Sequence, residues 1–78
     1  MNGLFVNEPI EIIDQGREFS LRYQNEIYTL FNPGDTKGIA HDGQNKEYKS
    51  GKDIFYNYKI DGKILNEVWN KVEVDYIF

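Results

Sequence analysis

Between Ile64 and Phe78 the hydrophobic period of this chain changes. Ile64, Leu65, Val68, Trp69 and Val72 fall at i, i+1, i+4, i+5 and i+8, one stripe of an α-helix. Val72, Val74, Tyr76 and Phe78 then alternate with Glu73, Asp75 and Ile77, the period of a strand. A short chain that must bury a helical stripe and, directly after it, one face of a strand is constrained to pack helices against a sheet. Asp61-Gly62 breaks the chain just before the stripe, and Asp61 suits an N-cap, so the helix is predicted over about 62–71. Glu67 and Lys71 form an i, i+4 pair on its other side, in the favourable order. Trp69 lies on the stripe and is expected to anchor the core. The apolar bulk of Phe78 suggests a docked terminus.

A second helix is predicted over about 51–58. Ser50-Gly51-Lys52-Asp53 has the spacing of a capping box, in which the serine oxygen accepts from a backbone N–H three residues on. Ile54, Phe55 and Tyr58 follow on one helical stripe. The same segment also alternates (Ile54, Tyr56, Tyr58, Ile60), which is a strand pattern, so the capping box decides for the helix.

Upstream, the strongest alternation runs from Glu18 to Tyr23: Phe19, Leu21 and Tyr23 face one way, Glu18, Ser20 and Arg22 the other. A tight turn at Gln24-Asn25 returns the chain through Glu26 to Phe31. Antiparallel pairing across it sets Leu21 opposite Tyr28 and Phe19 opposite Leu30, giving one apolar and one mixed face; a slip of two residues would keep the same faces. Ile10, Ile12 and Ile13 read as a strand, and Asp14 to Arg17 as a turn in which Gly16 takes positive φ. Asn32-Pro33-Gly34-Asp35 is another turn. Gly38–His41 and Lys46–Tyr48 are compatible with a second, weaker hairpin, but their low apolar content favours an exposed edge or a mobile loop. The predicted fold is α+β, one domain over 1–78. A small antiparallel sheet, the hairpin 18–31 plus the C-terminal strand, packs one face on two short helices.

Composition narrows the functional classes. Six Tyr, five Phe and one Trp supply a core for 78 residues. The absence of cysteine excludes a disulfide framework and thiolate metal sites, and points to a reducing compartment. No apolar run exceeds three residues, far below the roughly 20 needed to span a membrane, and no signal peptide is legible. A soluble cytoplasmic protein is expected, with no membrane contact. The richness in Asn, Lys, Ile and Tyr is what AT-rich coding sequence gives, which points to a low-GC bacterium or its phage. The formal net charge of −4 argues against a nucleic-acid partner, whose phosphates demand positive charge.

No motif carries a reaction. Gly34-Asp35-Thr36-Lys37-Gly38 lacks the glycine spacing and the following helix of a phosphate loop. The sole histidine, His41, adjoins Asp42, but Ser20 and Ser50 would have to reach it by folding, and it reads as a solvated turn residue. Asp35, Asp42 and Asp61 sit beside glycines in turns and not in a calcium-type loop. The two helical patterns flanking Lys59–Gly62 resemble a helix-turn-helix in spacing, but Glu67 sits among Lys63, Asn66 and Asn70 where a recognition helix should be basic. The run Tyr58–Lys63, with Leu65–Trp69 behind it, resembles the end of small proteins of low-GC bacteria and their phages, and that resemblance implies no activity. No cofactor and no metal are expected.

The residues left over are surface aromatics and one mixed face. Tyr is favoured at protein interfaces because it combines apolar area with a polar tip. Tyr56 points off the helical stripe and is the best single contact candidate. The mixed hairpin face, Arg22, Ile27, Thr29 and Phe31, is the other. The expectation is a small acidic protein-binding module without catalysis, an accessory or inhibitor protein of a phage or mobile element, with a protein partner and with homo-oligomerisation compatible. The alternatives are a small ligand-binding protein or enzyme built on His41 and nearby acids, and an acidic nucleic-acid mimic.

Overall fold

The structure is a computed structural model that describes residues 7–77. The fold is α+β, as the sequence predicts. The expected docking of Phe78 and the apolar run Leu4–Val6 lie outside the described residues.

The chain opens with α1 (Asn7–Asp14) where a strand was expected over Ile10–Ile13. The correction has a local cause. Pro9 fits the first turn of a helix, where its missing N–H is not needed. Ile10 and Ile13 then fall one turn apart, and Ile13 is wholly buried. Gly16, at φ +87°, closes the helix: its N–H donates to the Ile13 carbonyl at 3.1 Å and the Arg17 N–H to the Ile12 carbonyl at 3.2 Å. That double bond pattern with a left-handed glycine is a Schellman stop.

β1 (Phe19–Tyr23) and β2 (Glu26–Phe31) form the predicted hairpin in the predicted register, Leu21 opposite Tyr28 and Phe19 opposite Leu30. Gln24 and Asn25 both take positive φ, 52° and 66°, the turn that matches strand twist. The weaker hairpin is also present, as β3 (Lys37–His41) and β4 (Gln44–Tyr48), joined at Asp42-Gly43. α2 (Gly51–Asn57) is the capped helix: Ser50 Oγ accepts from the Asp53 N–H at 3.2 Å.

The helix predicted over 62–71 is replaced by three smaller elements. β5 (Lys59–Ile60) and β6 (Lys63–Ile64) form a tiny hairpin. α3 (Leu65–Val68) follows, continued by a 3₁₀ turn over Trp69–Lys71. Asp61 caps nothing. It takes φ 54° ahead of Gly62 at φ 79°, so the Asp-Gly pair is a hairpin turn and not a helix start. The tightening to 3₁₀ geometry also takes Lys71 off the i, i+4 alignment with Glu67, and no ion pair joins them. β7 (Glu73–Ile77) completes the sheet as predicted, antiparallel to β1.

The five main strands are ordered β4-β3-β2-β1-β7, all neighbours antiparallel. Among the described residues three short helices, one more than expected, cover a single side of this sheet. Phe19, Leu21, Tyr28, Leu30 and Ile39 from that side meet Ile13, Ile54, Phe55, Leu65, Val68 and Trp69. Trp69 is 3% exposed and stands edge-on to Phe55, ring centres 5.1 Å apart, so it is the core anchor that its place on the stripe implied. Among the described residues no helix is long and apolar enough to cross a membrane.

Candidate protein-contact surface

The side of the sheet on which, among the described residues, no helix packs is assembled by strand register. Cross-strand partners share a face. Glu73, Arg22 and Ile27 form one row, Ser20, Thr29, Ala40 and Asn45 the next, and Phe31, Gly38 and Glu47 a third. The four hairpin residues singled out in the sequence, Arg22, Ile27, Thr29 and Phe31, therefore lie together on this face. Ile27 is 45% exposed, the level reached among large apolar residues by Tyr56 as well. Phe31 lies over Gly38: a Cβ there would sit 2.7 Å from Phe31 Cζ, so glycine lets the ring lie flat on the strand. Ser20 Oγ and Thr29 Oγ1 share a hydrogen bond of 3.2 Å between Arg22 and the Phe31 row, and Thr36 Oγ1 donates to Glu47 Oε1 at 2.7 Å at the rim.

Arg22 is tied by a bulge. The pairing of β1 with β7 slips between Ser20 and Leu21, which pair with Tyr76 and Val74 and leave Asp75 as the extra residue. Arg22 Nη2 donates to Asp75 Oδ2 at 3.3 Å, an exposed pair. Beside it a shallow cleft of about 220 Å³ is lined by Arg22, Gln24, Asn25, Lys71 and Glu73. Of these, only Arg22 was flagged by the sequence. Lys71 and Glu73 come from the far end of the chain, and no local pattern announces that they meet the first hairpin.

Tyr56 is also 45% exposed, as the helical phase implied, but α2 belongs to the helical layer. The structure therefore places it across the molecule from the other four residues. The two contact candidates are separate surfaces.

His41 is not the solvated turn residue expected. It ends β3, its Nε2 lies 2.8 Å from Glu26 Oε1, and its ring stacks on Tyr28 at 4.0 Å and 17°. Tyr28 meets Tyr58 edge-on at 6.2 Å, and Lys46 Nζ stands 6.0 Å from the Tyr58 ring centre. Burial first, then the charges of Glu26, Tyr58, Asp61 and Tyr23, pushes the Tyr28 hydroxyl up to about 12. Burial also raises Tyr58 and Tyr48. Neither serine joins this cluster: Ser20 is bonded to Thr29 on the opposite face, and Ser50 caps α2. Among the described residues no three His, Asp or Glu side chains converge as metal ligands would. No protein-family model, curated protein or solved structure matches the chain.

Proposed function

We propose that this chain is a small protein-binding module, and that it engages its partner through the helix-free side of the sheet around Ile27 and Phe31. The observation that carries the reading is the exposure of Ile27 at 45% next to Arg22, on the same face as the flat-lying Phe31 ring, with the polar Ser20–Thr29 row between the two apolar side chains. Apolar side chains and an arginine among polar groups are the material of a protein interface. An antiparallel sheet that merely faced water would favour polar residues at these positions. Small size and a net charge of −4 fit an accessory or inhibitor protein of a phage or mobile element.

The test is affinity capture from lysate of the source cells with the wild type and two variants. Ile27→Glu puts a charge on the exposed apolar side chain of this face; Tyr56→Glu does the same on the helical side. A partner lost with Ile27→Glu and kept with Tyr56→Glu supports the reading. A partner indifferent to Ile27→Glu overturns it, provided that the variant keeps the wild-type circular dichroism.

A second reading, a small enzyme built on His41, has one observation in its favour. Glu26 holds the imidazole at 2.8 Å, as a carboxylate orients a general base. One face of the ring is occupied by Tyr28, so the first reading is preferred.

A further inference from the structure

We propose that the cleft between the β1–β2 turn and the start of β7 receives a carboxylate side chain, Asp or Glu, of the protein partner. This deepens the function proposed above and rests on it. The cleft is lined by two cations, Arg22 and Lys71, and one carboxylate, Glu73, and Asp75 is bonded to Arg22 beside it, so Lys71 is the cation left to be matched. Among the described residues Lys71 has no ion pair, so its charge is free to act on an incoming group. Arg22 carries five N–H donors in a planar fork and gives one to Asp75 at a long 3.3 Å. Exposed pairs of that kind hold weakly, and a carboxylate in the cleft competes for the same fork. Gln24 and Asn25, which line the cleft, add carboxamide donors.

Continuity with the apolar patch chooses a protein over a free anion. Arg22 is the direct cross-strand partner of Ile27, and neighbouring strands run about 4.8 Å apart. An acid in the cleft and an apolar side chain on Ile27 are thus contributed by neighbouring positions of one partner surface, at the spacing of side chains one helical turn apart, about 5–6 Å. Inorganic anions have no use for the patch. The charge preference also runs opposite to the one that net charge suggests: this acidic protein seeks an acidic residue at that point of its partner.

Amide chemical shifts of the full chain test this with three probes: acetyl-Leu-Glu-Leu-amide, acetyl-Leu-Gln-Leu-amide and inorganic phosphate. The expected result is that the Glu peptide moves the amides of Arg22, Gln24, Asn25, Lys71 and Ile27, and binds roughly threefold more tightly than the Gln peptide. Lys71→Gln should remove that preference and leave the Gln peptide unaffected. Equal binding of the two peptides, with shifts confined to Ile27, Thr29 and Phe31, overturns the carboxylate site and leaves the docking face standing. Shifts at the cleft alone support the site and count against the face. Phosphate binding as tightly as the Glu peptide overturns the partner-carboxylate assignment, and so does the absence of shifts with all three probes.

Discussion

Gly51 and Gly38 pose the same steric question with different answers. At Gly51, where α2 begins against α1, an added Cβ would overlap Ile13 Cγ2 and press on the Ile10 carbonyl oxygen at 3.0 Å. The Gly51 N–H also donates to Asp14 Oδ1 at 2.7 Å, which fixes the two helices together. Ile13 is completely buried and has nowhere to go. Alanine is the better helix former, but only by about 1 kcal/mol. Overpacking costs about 1–3 kcal/mol, so Gly51→Ala should destabilise the protein in urea unfolding. At Gly38 the Cβ meets the Phe31 ring, which lies on the helix-free face and can swing outward. Gly38→Ala should stay within about 1 kcal/mol of the wild type. Equal losses for the two variants would mean that Phe31 is held as rigidly as Ile13.

The element where two structural readings compete is the Lys59–Ile64 hairpin. With Gly62 inside a helix start, Gly62→Ala would stabilise by up to about 1 kcal/mol. With Gly62 at φ 79° in a hairpin turn, the same change forces a Cβ into the left-handed region and costs about 1–2 kcal/mol. Nothing lies within 4 Å of that Cβ, so the sign of the change in thermal or urea stability reports the backbone alone. This hairpin also explains what was legible in the sequence and what was not. The pairing of hairpin 18–31 was legible because five apolar residues, Phe19, Leu21, Tyr23, Tyr28 and Leu30, alternate on both sides of a two-residue turn; a slip of two residues would keep the same faces, and the Gln24-Asn25 turn fixes the register. α2 was legible from Ser50. β5 and β6 have two residues each, too few to show a period, and an Asp-Gly pair serves equally as a helix cap or a turn. α1 failed for a related reason: in eight residues, three isoleucines look like a strand until tertiary burial of Ile13 decides. The proposed contact face followed directly from the alternation of β1 and β2, since the second face of a hairpin is whatever the core does not take. The cleft did not, because Lys71 and Glu73 reach Arg22 only through the pairing of β7 with β1.

Across the whole molecule the buried phenols make stability depend on pH at the alkaline end. Tyr28, 4% exposed, keeps its proton up to about pH 12 in the folded chain, whereas an unfolded tyrosine releases it near 10.0. Below pH 10 both states hold the proton and the linkage is silent. Between the two values the unfolded chain binds fewer protons than the folded one, so the stability of the fold falls as pH rises. Above about 12 the folded phenol ionises too, and the contribution is gone. For Tyr28 the loss is of the order of 2 kcal/mol across that window. Tyr58 and Tyr48 are shifted in the same direction, chiefly by burial, and steepen the fall. Glu26 and Asp61 strengthen it at Tyr28, because their charges oppose a second negative charge beside them. Urea unfolding at about pH 9 and about pH 11.5 should therefore show a clear drop in the wild type. Tyr28→Phe keeps the ring that stacks on His41 and removes the proton, so its drop should be distinctly smaller. A Tyr28→Phe chain that loses as much stability as the wild type over this range would assign the alkaline sensitivity to the other two tyrosines and remove Tyr28 from the account.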